Sequence, residues 1–263
     1  MLPEQNKYFI PEEIQLQAKR GVEEVKFRWT NRGQFDIFDI VSERAILIRK
    51  PVENAGSKSF SGFSTYMEEH FVVFLNTAFS VGHQRFTAVH ELYHLEFDTH
   101  YLSEHKVMDE TDELNKTLAQ AFASEFLMPE DAVKEYYYKH LKNMVLTPIH
   151  IIRMHNEFRV SYKAMLVKLL RMEFIRTDEF DELKKMGTME MKEEFQALTK
   201  SQGYDTSLIE PTNEASFPSE YLHYILDNYK SRRISYGRLH AFLQFINKRP
   251  ENFGIIAPEE DEI

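Results

Sequence analysis

The chain has no cysteine among its 263 residues. That excludes disulfides and thiolate metal ligands, so any zinc held here must use histidine, carboxylate and water, and it suits a reducing cytoplasm. Long apolar runs are also missing. No stretch approaches the roughly eighteen residues that span a bilayer, so no membrane segment is expected. The first residues, MLPEQNKYFIPEEIQLQAKR, lack a basic start followed by an apolar run, and no secretory signal is expected either. Nor is there an excess of cations: 32 Lys and Arg stand against 42 Asp and Glu, a formal net charge of −10. That balance argues against sequence-independent nucleic-acid binding, which depends on Lys and Arg neutralising phosphate. What remains, 43% hydrophobic and 28% charged, is the composition of a folded chain long enough for one large or two modest domains.

Pro11 followed by Glu12 and Glu13 predicts a helix start, with acids at the positive end of the dipole, and a helix over 11–27. Three segments rich in β-branched and aromatic residues, 44–50, 59–66 and 70–76, predict strands of a small sheet. Pro51, Asn54, Gly56 and Ser57 provide turn chemistry between the first two, and the short connection between the last two predicts antiparallel pairing. A helix is expected over 83–97, a polar loop over 98–113, and a second helix over 114–128, closed by Pro129. Further helices follow over 131–173, one capped by Ser161. Beyond Arg176 the chain becomes charged, then turn-rich around Gly203, Pro211 and Pro218, which reads as a linker or hinge. Arg233-Ile234-Ser235-Tyr236 echoes Arg159-Val160-Ser161-Tyr162, reuse of helix-capping chemistry, and EEDEI closes the chain as a solvated acidic tail.

Within the segment 83–97 stands His90-Glu91-Leu92-Tyr93-His94. At about 100° per residue the two histidines lie one turn apart on one helical face and can share a zinc ion, with Glu91 beside them. Imidazole nitrogens hold the metal while leaving room for water, the metal lowers that water's pKa, and Glu91 is placed to take a proton and pass it to a leaving amine. Phe86, Val89, Tyr93 and Phe97 recur at spacings of three and four, so one face of the helix is expected to be buried.

Two histidines leave zinc one protein ligand short of the usual catalytic set. His100 stands six residues beyond His94, the metzincin offset, but Phe97 occupies the position where that plan uses glycine. Asp98, four residues on, is placed to coordinate or to orient a histidine. A carboxylate on the following helix would complete the gluzincin plan, as in thermolysin.

RFTAVHELYHLEFD, followed some twenty residues later by LAQAFASEFLMPED, resembles the paired motifs of the ImmA/IrrE metallo-endopeptidases. Those run approximately RFTLAHELGH and then E-x-x-A-N-x-F-A-A-x-L-L-M-P, and the resemblance covers about residues 10–173. It implies zincin fold ancestry, which with the strand and helix patterns above gives an α+β fold, a small antiparallel sheet packed on a zincin-type helix and a mostly helical C-terminal region, and the composition change after Arg176 divides the chain into domains at 1–175 and 176–263. It also exposes departures. Aligning Leu127-Met128-Pro129 places Lys116 where the family carries its third ligand, a glutamate, and Gln120 where it carries asparagine, while Tyr93 replaces glycine. Glu113, one turn before Lys116 on the same helical face, becomes a candidate third ligand with His90 and His94; Asp98, His100 or no third ligand are the alternatives.

The resemblance thus implies a cytoplasmic, zinc-dependent hydrolase acting by regulatory proteolysis, with Glu91 as general base and a protein substrate. The family's usual substrate is a helix-turn-helix repressor in mobile elements or stress circuits. An extended substrate is expected to pair with an edge strand, for which 70–76 is the candidate. Lys116 and Gln120 motivate a rival reading, a catalytically impaired zincin-fold regulatory or interaction module. A further rival makes 148–173 a helix-turn-helix on DNA, against which the apolar content of both its helices predicts internal packing.

Overall fold

The computed structural model describes residues 8–29, 36–52, 60–67, 69–108 and 112–257. The expected turn residues Asn54, Gly56 and Ser57 and the tail EEDEI lie outside the described residues. The first layer comprises α1 (Glu12–Trp29), α2 (Ile37–Ser42), β1 (Ile46–Lys50), β2 (Gly62–Met67), β3 (His70–Asn76), α3 (Val81–Phe97), α4 (Thr99–His105) and α5 (Glu113–Leu127). One apolar core joins them. Ala18, Val22 and Val25 of α1 face Leu118, Ala121 and Phe122 of α5, and Val73 and Leu75 of β3 lie under Ala88 and Leu92 of α3.

The sheet is mixed, not wholly antiparallel as expected. Its order is β1-β3-β2, with β1 parallel to β3 in the register Ile46↔Val72 to Lys50↔Asn76, and β2 antiparallel to β3 from Gly62↔Leu75 to Met67↔His70. The run HFVVFLN explains which strand is central: it is apolar on both faces, and a strand flanked on both sides buries both. This also corrects the expected edge strand. Both edges of β3 are paired, so residues 70–76 have no backbone groups left for a substrate, and β2 is the edge strand on the side of α3.

The stretch 98–113, expected as a loop, contains α4. Its sequence THYLSEH carries little apolar content, and one fully buried residue, Leu102, anchors it. After it, Val107 bridges Thr65, and Tyr66 donates its N–H to the Lys106 carbonyl at 3.0 Å, covering the far half of the β2 edge.

A second core joins α6 (Glu130–His140), α7 (Pro148–Glu157), α8 (Tyr162–Arg171), α9 (Thr177–Lys184) and α10 (Lys192–Ser201), through Ile151, Met165, Leu169, Phe180 and Phe195 among others. Ser161 caps α8 by accepting from Ala164 N–H at 3.2 Å. One side of the turn between α7 and α8 packs on α3: a Cβ on Gly82 would lie 2.6 Å from Ser161 N and 2.7 Å from the Val160 carbonyl carbon, so only glycine lets α3 dock there. Arg85 reinforces the joint, donating to the Arg159 carbonyl at 3.0 Å and to Asp36 at 2.5 Å.

The turn-rich stretch around Pro211 and Pro218 does not hang as a free linker. Ser216 exchanges backbone bonds with Arg49 on the outer edge of β1, and Asn213 N–H donates to the Thr77 carbonyl at 3.1 Å. Beyond it α11 (Ser219–Lys230) and α12 (Tyr236–Phe245) pair around Ile225, Leu239 and Leu243, and Ser235 caps α12 as Ser161 caps α8. No helix among the described residues is long and apolar enough to cross a membrane.

Candidate metal centre

α3 carries the pair that the spacing predicts: His90 Nε2 and His94 Nε2 converge to 3.4 Å. Two bonds of about 2.05 Å opening at a tetrahedral angle of about 109° put their nitrogens about 3.3 Å apart, so this separation fits a shared zinc ion. His94 Nδ1 is 2.7 Å from Asp98 Oδ2. A carboxylate accepts there, so Nδ1 carries the proton and the Nε2 lone pair faces the cavity. Asp98, at the end of α3, therefore orients His94 and is turned away from the metal position. His90 is half-buried, and desolvation, with His94 and then Lys116 adding to it, holds its pKa down at about 3. Its ring stays neutral, the form a metal needs.

Glu91 points into the same cavity, about 900 Å³ in volume. It is buried, and its Oε2 accepts a 2.6 Å hydrogen bond from Ser64 Oγ on β2. Burial pushes its pKa up, while His94 and the Ser64 hydrogen bonds act to lower it. The strand reaches the helix because of Gly62: a Cβ there would come within 2.6 Å of Thr87 Cγ2 and 2.7 Å of the Phe74 carbonyl oxygen. Gly62 faces Thr87 one turn before Glu91, which brings Ser64 onto the carboxylate. The motif by itself reveals neither Ser64 nor Gly62 as functional, and with Ser64, Thr65 and Tyr66 adjacent on GFSTYM no sequence signal singles out the hydroxyl that reaches Glu91.

The opposite wall comes from α5. Lys116 and Gln120 line the cavity, as the alignment of the second motif implied, and Glu113 does not. Glu113 heads α5, exposed, about 4.5 Å further along the axis than Lys116 at 1.5 Å per residue, and that rise carries it past the cavity mouth. His100 is also remote in role: its side chain is 88% exposed and lies 3.4 Å from Glu104. Among the described residues no group of three His, Asp or Glu side chains is gathered to hold a metal. The donors thus fit zinc at two positions, through His90 and His94, and the chain's third facing group is a lysine.

Tyr93, where the resembled pattern has glycine, fills the space behind the motif. Its ring packs on Phe97 and Phe122 at 5.1 and 5.5 Å and meets His94 edge-on, and burial pushes its hydroxyl pKa up to about 12. At the helix end Glu96, its side chain 1% exposed, is clamped between Arg28 of α1 and Arg44, which fixes α3 against its neighbours.

A search of curated proteins finds no match to the chain. The Peptidase_M78 family, described as an IrrE N-terminal-like domain, matches residues 42–170, from the end of α2 to α8. That span holds the sheet, the two histidines, Glu91 and the α5 wall, and over residues 42–170 the chain carries a domain of the ImmA/IrrE family of metallopeptidase-type proteins.

Proposed function

We propose that the chain is a zinc-dependent endopeptidase cleaving an intracellular protein in extended form, with His90 and His94 holding the metal and Glu91 as general base. The 3.4 Å convergence of the two Nε2 atoms beside a buried carboxylate carries this reading. Zinc bound there would polarise the scissile carbonyl and lower the pKa of water. The other tasks fall to the chain. Asp98 keeps His94 in the tautomer that faces the cavity. Ser64 holds one oxygen of Glu91 and leaves the other to accept a proton from water and deliver it to the leaving amine. The outer backbone groups of residues 62–64 of β2, which have no partner among the described residues, would pair with an extended peptide, and Phe60 and Phe63, 40% and 41% exposed, form an apolar rim for its side chains.

Membership of a metallopeptidase family supports the reaction class. The resemblance to the ImmA/IrrE endopeptidases supports a helix-turn-helix repressor as the substrate, and the absence of cysteine supports a reducing compartment. The test joins two measurements on the purified chain: zinc content, and cleavage of a peptide library made from a host proteome. Stoichiometric zinc lost in His90→Ala, with cleavage lost in Glu91→Gln while zinc is retained, is the expected result; unchanged cleavage in Glu91→Gln refutes the base assignment.

Lys116 favours a second reading, a regulatory binding module built on the same fold. A cation on the wall opposes a metal ion, and the third protein ligand is missing among the described residues. A well-folded chain that takes up no zinc and cleaves nothing supports it.

A further inference from the structure

The metal-facing cavity does not end at α3. A second cavity, about 920 Å³, opens beside it and shares His83, Phe86 and Gln120 with the first. His83 and Phe86 lie one to two turns before His90 on α3, so the two chambers follow each other along one helix. The far chamber is walled by α8 and by the segment leading into α10, and its charges are Lys163, Arg171 and Lys192. No Asp or Glu lines it among the described residues, in a chain where acids outnumber Lys and Arg by 42 to 32.

Two of these cations differ from several others on this surface. Lys134, Lys184 and Lys185 each sit on a carboxylate of their own helix or the helix just before. Lys163 and Lys192 have exposed side chains and no ion-pair partner among the described residues. Arg171 is held in place by its Nε donating to the Tyr8 carbonyl at 2.7 Å, and burial lowers its pKa only to about 10, so it remains a cation at neutral pH. The Lys163 charge is felt at His83, on the boundary between the chambers. In the near chamber Glu91 is the only lining carboxylate among the described residues, and Lys116 adds another cation. A concave, partly apolar surface of one sign concentrates field and counter-charge.

We propose that the second chamber is a specificity subsite of the peptide groove, taking an acidic segment beside the scissile bond with its carboxylates on Lys163 and Lys192. This rests on the peptidase reading for what the groove is used for, but the binding itself needs no metal and no turnover. Net repulsion by a chain of charge −10 makes a preference for acid a property of this local field and not of the whole molecule.

The test is fluorescence anisotropy on the full chain with a chelator present, using two labelled peptides identical except that glutamates in one are glutamines in the other. The glutamate peptide is expected to bind roughly tenfold tighter, the combined effect of two partly screened charge pairs. Lys163→Glu with Lys192→Glu should abolish that ratio, while Arg232→Glu with Arg233→Glu, on the exposed turn before α12, should leave it intact. Equal or undetectable binding of the two peptides, or a ratio that survives the Lys163 and Lys192 changes, overturns the proposal. Displacement by inorganic phosphate beyond that by chloride at equal ionic strength also overturns it, assigning the chamber to a free anion instead. Casein digestion by the zinc-loaded chain is scored separately: acid-selective binding without digestion removes the peptidase reading and keeps the subsite, and digestion without acid selectivity removes the subsite alone.

Discussion

Replacing Asp98 with alanine removes the carboxylate that accepts the proton of His94 Nδ1 at 2.7 Å. The ring then loses both its tautomer lock and its fixed orientation, and either nitrogen can carry the proton. Partners of metal-ligating histidines typically contribute ten- to hundredfold in affinity, so the zinc dissociation constant should rise by that factor, about 1.4–2.7 kcal/mol. Asp98→Asn keeps a hydrogen-bond acceptor at this position but removes its charge. Charge-assisted bonds are about twice as strong as neutral ones, so this milder variant should lose about half of that free energy. Folding should be spared. The Asp98 side chain makes no capping bond to α4, and its backbone N–H to the His94 carbonyl is unaffected. Chelator-competition titrations of the wild type and both variants measure the affinities, and thermal unfolding in chelator checks the fold. Unchanged zinc affinity in Asp98→Ala would refute the orientation of His94 on which the metal site depends.

Other perturbations test neighbouring parts of the structure. Gly62→Ala should displace β2, because the added Cβ would meet Thr87 of α3 on one side and the Phe74 carbonyl oxygen of β3, which cannot rotate aside, on the other; a loss of about 1–3 kcal/mol in urea unfolding is expected, and wild-type stability would contradict the close approach. Lys168 and Glu125 form a 3.0 Å pair with side chains 8% and 14% exposed. Lys168→Met alone should cost about 3 kcal/mol by leaving a buried carboxylate short of its partner, whereas Lys168→Met with Glu125→Gln should recover most of it, and additive losses would show the pair is not coupled. His155 is fully buried against the Val160 carbonyl, and burial lowers its pKa from 6.5 to about 4. The unfolded chain therefore takes up a proton that the folded one refuses as the pH falls from 6.5 to 4. Stability from this group is whole above pH 6.5 and declines by about 1.4 kcal/mol per unit below it, a slope that His155→Gln should remove from acid-unfolding curves.

The features legible in the sequence are those whose physics is local. His90, Glu91 and His94 share a face because helical rotation fixes residues one and four apart. Ser161 and Ser235 announce their helices because a cap acts within three residues. Glu113 shows the limit of that reasoning. Its face on α5 follows from the helical repeat, yet the position of the helix relative to the cavity is set by α1 and α3, and Asn115, Lys116 and Gln120 come level with it while Glu113 does not. α4 escaped because a short helix anchored by one leucine carries no periodicity to detect.

Sequence alone determined the helix that carries His90, Glu91 and His94, the partner motif on α5 and the lysine that departs from it, because each is a pattern within a single element. Tertiary structure decided which strand is the edge, which oxygen of Glu91 is held by Ser64, which task falls to Asp98, and how a cationic chamber forms from α3, α8 and the approach to α10. Those depend on contacts such as Ser64 to Glu91, 27 residues apart, or Arg44 to Glu96, 52 apart. Burial of several elements against one another selects such pairs, and no periodicity along the chain encodes them.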